Sequence, residues 1–285
     1  MSDFATFEER SAAMKRMNSQ TITKADIQKI RGSSTIEEVL VEFDKIGKCL
    51  NDVGVKGIDK RNLGKACFVL CNTYTKPSYK LGVGPLNDAL TVANNHYQMG
   101  YSIYYLHNPR KQLFLDCLKI FLKFTKQNLT IFYTGHGASI PDKSGDESDG
   151  FDEVLVFDVG YIVDDLLLKT LVENTNPKSR VLLLSDCCHS GSIWDIQSAR
   201  AKSVKLSPNI VSISAAKDSQ TAKQTTIGQK SQGIFTYYFW SIVNSDPHIT
   251  IKDMEAKING SLKRFNQHYT YACSAPGLEN QPIFE

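Results

Sequence analysis

Two stretches decide the fold: Leu129-Thr-Ile-Phe-Tyr133, which runs into Thr134-Gly135-His136-Gly137, and Val181-Leu-Leu-Leu184, which runs into Ser185-Asp186-Cys187-Cys188-His189-Ser190-Gly191. Each apolar run is too short for a helix and too continuous for a half-exposed strand, which is how a parallel strand covered on both faces reads. Residues 66–71, 102–106 and 210–213 repeat the pattern. Helical stripes lie between them. Leu86, Ala89, Leu90, Ala93 and Tyr97 share one face, and Asn108 with Pro109 supplies a cap and first-turn proline for a helix facing inward with Leu113, Cys117, Phe121 and Phe124. Thr250 and Asp253 start a third stripe, Ile251, Met254, Ile258, Leu262 and Phe265. Strand and helix alternate, so the expected class is α/β, a mainly parallel sheet with helices on both faces.

Ligands bind such sheets at the carboxyl ends of the strands. There, His136 and Cys188 each stand among small residues that let a substrate approach the backbone. A thiol is a weak nucleophile until it loses its proton, and a neighbouring imidazole can take that proton and later return it to a leaving amine. The order is His then Cys, about fifty residues apart, a spacing found in caspase-type nucleophiles. His189, directly after Cys188, is the competing base; from a strand-end turn its ring would point elsewhere.

The rest of the chain narrows the classes. It has 285 residues, 41% hydrophobic and 22% charged, enough for one globular domain or two small ones. A net charge of +3 is too weak a field to make nucleic acid or an anionic membrane the main partner. No segment approaches the ~20 apolar residues of a membrane span, and no secretory signal opens the sequence, so a cytoplasmic location is expected. Seven cysteines without paired Cys-x-x-Cys spacing argue for reduced thiols rather than a disulfide or zinc framework. Residues 1–64 are polar, with short amphipathic helical patterns such as 35–50, and are expected to form a helical appendage to a domain over 65–285. Within that domain, 65–199 and 209–285 are two portions joined by a polar, basic linker at 200–208.

Tyr133-Thr-Gly-His-Gly137, Gly145-Asp-Glu-Ser-Asp-Gly-Phe-Asp-Glu153 and Asp186-Cys-Cys-His-Ser-Gly191 resemble the metacaspases, caspase-like cysteine peptidases of clan CD. The resemblance extends from about residue 66 to the end, taking in 214–222, Gly233-Ile-Phe-Thr-Tyr237 and Asn280-Gln-Pro282. It is to a type I metacaspase without the Pro-rich prodomain, and it implies a caspase-like sandwich. It implies peptide-bond hydrolysis through an acyl-enzyme, with Cys188 as nucleophile, His136 as acid and base, and the amides of Gly137 and Cys188 as oxyanion donors.

The resemblance also implies cleavage of peptide or protein substrates after Arg or Lys. Asp186 and Asp88 would supply the carboxylates a basic side chain requires. For Asp88 the plain alternative is stabilisation of a helix N-terminus, and for Asp186 a turn hydrogen bond. Thr134 stands where the family has Ser, and Pro85 where it has Cys, so the pocket's size is expected to differ. The acidic residues Asp142, Asp146, Glu147, Asp149, Asp152, Glu153, Asp158, Asp164 and Asp165 fail the EF-hand pattern. The resemblance implies calcium activation through Asp146, Asp164, Asp165 and Asp195, and a monomeric enzyme. Arg200, Lys202 and Lys205 are either self-cleavage points or an ordinary exposed linker. An Asp-selective caspase is the alternative peptidase, opposed by the charge of Asp88 and Asp186; a non-catalytic scaffold would be expected to lack Cys188 or His136. A flavodoxin-type binding module would need a glycine-rich phosphate loop, which 71–77 is not.

Overall fold

A computed structural model of the chain describes residues 35–141, 151–187, 193–217 and 233–285. In chain order the main elements are α1 (Ile36–Asp44), β1 (Gly47–Cys49), β2 (Lys65–Cys71), α2 (Gly84–Gln98), β3 (Ser102–His107), α3 (Lys111–Phe124), β4 (Asn128–Thr134), β5 (Gly137–Pro141), β6 (Phe151–Val156) and β7 (Tyr161–Val163). They continue as α4 (Asp164–Asn174), β8 (Arg180–Asp186), α5 (Ala199–Ser203), β9 (Ile210–Lys217), α6 (Ile234–Ser245), α7 (Ile251–Leu262) and β10 (Gln267–Cys273). Seven strands form one sheet in the order β1-β3-β2-β4-β8-β9-β10, and β5-β6-β7 form a small antiparallel one. Every pairing in the large sheet is parallel except β9 with β10.

The continuous apolar runs have the cause inferred from them: alternate residues enter different cores. Cys67, Val69 and Cys71 of β2 pack with α1, α2, α6 and α7 on one face. Ala66, Phe68 and Leu70 pack with α3 and α4 on the other. All five runs read from the sequence are strands. The fold is therefore α/β with helices on both faces of a mainly parallel sheet.

Four expectations meet a different outcome. Residues 35–64 do not stand apart: Thr35 and Glu38 close a capping box on α1, Val39 and Phe43 enter the core, and β1 pairs with β3 as an edge strand. Asn108 does not cap α3; its backbone is left-handed (φ 47°) and its carboxamide oxygen accepts from the amides of Thr73 and Tyr74, while α3 begins at Lys111. Tyr97 closes its stripe half exposed, because α2 ends one residue later. The linker at 200–208 carries most of α5, capped by the Ser198 hydroxyl on the Ala201 amide, and Arg200 forms an ion pair with Asp165. The six described cysteines, Cys49, Cys67, Cys71, Cys117, Cys187 and Cys273, are free thiols. Among the described residues no helix is long and apolar enough to cross a membrane.

Helix α2 is bolted to β4 by a fully buried histidine. His96 Nδ1 lies 2.8 Å from the Val92 carbonyl, which can only accept, so Nδ1 carries the proton and Nε2 accepts from the Thr130 hydroxyl at 2.9 Å. Tyr101, Trp240 and Phe284 meet the ring edge to face. Burial pushes the imidazole down from 6.5 to about 4. The unfolded chain therefore binds this proton first, and stability falls as pH drops through the window between those two values. Urea titrations should show an acid-side loss of about 3 kcal/mol from this ring. That component should disappear in His96→Gln.

Candidate active site

The parallel pairing brings three strand ends level. Cys71 of β2 is the register partner of Thr134 of β4, which is the partner of Asp186 of β8. Register partners in a parallel sheet share a face. Here it is the face under α2 and α6. Asp88, in the second turn of α2, is buried; burial, with the charge of Asp88 added to it, holds the Cys71 thiol well above its usual range. Asp186 is also buried, and its Oδ2 accepts from the Thr236 hydroxyl of α6 at 2.8 Å. Two carboxylates and the Thr134 hydroxyl are thus delivered to one side of one sheet edge. Asp88 lies too far into α2 to serve the first turn, and Asp186 reaches the helix α6 through Thr236.

His136 follows β4 beyond Gly135. Its Nε2 lies 2.7 Å from the Tyr79 carbonyl oxygen. A carbonyl only accepts, so Nε2 carries the proton and the neutral ring keeps its lone pair on Nδ1. The backbone amide of His136 donates to Tyr74 Oη at 2.6 Å, and its carbonyl accepts from Tyr133 Oη at 2.6 Å. The Tyr74 ring stacks on the imidazole with centroids 4.8 Å apart. Burial holds the His136 pKa below the usual imidazole range, partly opposed by the bond to Tyr79. Gly137 opens β5, half-buried.

Cys188 and His189 lie outside the described residues. Cys187, immediately before Cys188, is buried; burial pushes up the pKa of both Tyr74 and Tyr133, the two tyrosines bonded to the His136 backbone, and Cys187 adds to the shift. Beyond that segment the chain re-enters the core at Ile193, Trp194 and Ile196, where Trp194 Nε1 donates to Ser185 Oγ at 3.1 Å.

The acidic residues divide. Asp142, Asp146, Glu147 and Asp149 lie outside the described residues. Asp164, at the start of α4, accepts from the Glu153 and Asp165 amides at 2.8 Å each; burial, with Asp152 and Asp165 nearby, pushes its carboxyl up to about 6. Asp165 takes the Arg200 guanidinium, and Asp195, with left-handed backbone (φ 52°), accepts from the Ser198 hydroxyl. Crowded hard carboxylates suit calcium chemically. Among the described residues, however, no three His, Cys, Asp or Glu side chains converge as a metal site. Asp158 is engaged elsewhere, accepting from the Thr75 amide and hydroxyl and from the Lys76 amide at 2.9–3.1 Å.

Sequence reading missed Tyr74, Tyr79, Tyr133 and Thr236. Tyr74 and Tyr79 follow the carboxyl end of β2, the signal that could have drawn attention to them. Gly135 shows how tightly this centre is built: an added Cβ would lie 2.7 Å from Tyr133 Oη, 2.9 Å from Tyr74 Oη and 3.1 Å from Asn72 Cβ. Gly135→Ala should therefore destabilise the fold by about 1–3 kcal/mol, read as a lowered melting temperature.

Comparisons with known proteins agree with this arrangement. Residues 86–197 match the family model described as metacaspase, peptidase C14 domain. Metacaspase-1A of Aspergillus fumigatus is 24% identical over 233 residues, covering 60% of this chain and 56% of that protein. Metacaspase-1 of Candida albicans is 33% identical over 172 residues, covering 52% and 38%. The chain thus spans little more than half the length of these relatives at most. Caspase-1 from Spodoptera frugiperda superposes with a TM-score of 0.51 at 10% identity, over 75% of this chain and 90% of that one, a likeness of fold alone. With strand ends, aspartates and histidine arranged as above, this α/β chain has the caspase fold, and its residues 86–197 are similar to the metacaspase peptidase C14 domain.

Proposed function

We propose that this chain is a cysteine endopeptidase that cleaves peptide bonds after Arg or Lys. The observation that carries the reading is the orientation of His136, whose Nε2 proton is committed to the Tyr79 carbonyl and whose basic Nδ1 is left for chemistry. In this mechanism the Cys188 thiol gives its proton to His136 as sulfur attacks the scissile carbonyl. The amides of Gly137 and Cys188 receive the developing oxyanion. The C–N bond breaks as His136 protonates the departing amine, leaving a thioester. Water then gives a proton to His136 as its oxygen attacks the thioester, the C–S bond breaks as His136 returns that proton to the Cys188 sulfur, and the carboxylic acid product leaves.

The preference for a basic residue is supported by Asp88 and Asp186, buried on one face beside Thr134. A guanidinium or ammonium brought between them would gain charge-assisted hydrogen bonds, whereas an acidic side chain would be repelled. The matched segments of the relatives support the peptidase assignment itself. We keep calcium as an activator in this proposal, with Asp164, Asp165, Asp195 and Asp146 as its ligands. Calcium would supply positive charge among mutually repelling carboxylates. A monomeric enzyme in the cytoplasm completes the proposal.

Full-length protein given Arg-, Lys- and Asp-terminated reporter peptides should turn over the first two. Cys188→Ala and His136→Ala should each reduce kcat by about a thousandfold or more. Activity surviving in Cys188→Ala would remove the nucleophile, and turnover of the Asp reporter alone would remove the basic pocket. Activity unchanged by millimolar calcium or by chelation would detach the aspartates from regulation.

The pH dependence supplies a separate check. Because burial lowers the His136 pKa, the neutral base persists to more acidic solution than a free imidazole would allow. The acid limb of kcat/KM should therefore fall below pH 6.5.

A further inference from the structure

The segment that follows β2 holds His136 from three sides, and none of these contacts involves the expected nucleophile. The Tyr79 carbonyl takes Nε2, Tyr74 Oη takes the backbone amide, and the Tyr74 ring covers one face of the imidazole. Tyr74 Oη also donates to the Val156 carbonyl at 3.0 Å, which leaves the hydroxyl no freedom to reorient. Tyr74 is 3% exposed with a backbone φ of 65°, a left-handed conformation that bulky residues seldom adopt. Such conformations persist where surrounding structure imposes them, and they gather at functional sites.

Two anchors impose this one. Asn108, after β3, accepts from the Thr73 and Tyr74 amides at 2.8 and 2.9 Å and donates to the Thr73 hydroxyl at 3.1 Å. Asp158, in the turn between β6 and β7, takes the amides of Thr75 and Lys76 and the Thr75 hydroxyl. Tyr74 is thereby pinned on both sides. A base held by a rigid backbone acceptor and a covering ring needs no reorientation before proton transfer.

We propose that Tyr74 is a positioning residue for the reaction, holding the backbone and ring of His136 in line with the Tyr79 carbonyl that sets its tautomer, and that Asp158 acts on the same base at a distance by ordering the 74–76 backbone. The inference rests on the peptidase reading above only in taking His136 as the catalytic base. Tyr74→Phe keeps the stacked ring and removes the hydroxyl's bonds to the His136 amide, the Val156 carbonyl and Tyr133 Oη. Asp158→Ala removes the outer anchor without touching the imidazole.

The test uses the full-length chain with two readouts. With the Arg reporter, Tyr74→Phe should lower kcat about tenfold with KM changed less than twofold, and Asp158→Ala should shift kcat in the same direction by less. In ¹⁵N-histidine-labelled protein carrying Cys188→Ala, with His136 assigned by its loss in His136→Gln, the parent ring should give the Nε2–H tautomer. Tyr74→Phe should move its signals toward a mixture of tautomers. Should that variant fail to fold, Asp158→Ala gives the same measurement with intact aromatic packing. Unchanged ring signals in the folded variant overturn the proposal, even if its melting temperature falls, since that outcome makes Tyr74 a stability residue only. An inactive parent protein would defeat the peptidase reading, while the ring signals would still decide the role of Tyr74.

Discussion

A parallel strand cannot turn directly back into its neighbour; the chain must cross over the sheet first, and this constraint governs everything else in the molecule. Because β2, β4 and β8 run the same way, their carboxyl ends emerge at one edge, and their register sets Cys71, Thr134 and Asp186 in a row. The crossovers supply α2 and α3, one to each face, so the strands between them are buried on both sides. Polar chemistry can then appear only where the strands stop.

What stands at that edge is costly in isolation. Asp88, Asp186 and His136 are all buried, and buried ionisable groups are tolerated when hydrogen-bonded or given charge partners. The structure meets this requirement unevenly. His136 is held as a neutral ring with a defined tautomer, whereas Asp164 is pushed toward protonation by burial, with Asp152 and Asp165 adding to it. In the proposed mechanism the first arrangement prepares a base for proton transfer, and the second is where the proposed calcium would act.

Much of the architecture was legible because burial on both faces leaves an unbroken apolar run, and the five runs are all strands. β10 escaped that reading: Gln267, His268 and Thr270 interrupt it, as suits an edge strand covered less fully. β1 is three residues long and follows a helical pattern, so nothing local separated it from α1. Asn108 before Pro109 imitates a helix cap, but tertiary acceptors were needed elsewhere and the left-handed backbone turned its carboxamide toward Thr73. In the site, His136 was singled out by residue type and strand-end position, whereas Asp88 and Asp186 came from the resemblance to the metacaspases. Tyr74 and Tyr79 were not, because one acts through a hydroxyl and a ring, and the other through a backbone carbonyl that any residue could provide. Asp158 was read only as one more negative charge, since its role depends on a chain segment more than eighty residues away.

The five-residue helix α5 bears on how the chain could be cut by a peptidase. A scissile segment must lie extended in a cleft, and a bond after Arg200 is neither extended nor loose, for its guanidinium is clasped by Asp165 and its backbone is coiled behind Ser198. Proteolysis there has to wait for that turn to unwind, so nicking would report the frequency of a local opening. Lys205, exposed and just past the helix, needs no such unwinding. Two basic residues five positions apart thus carry very different kinetic protection.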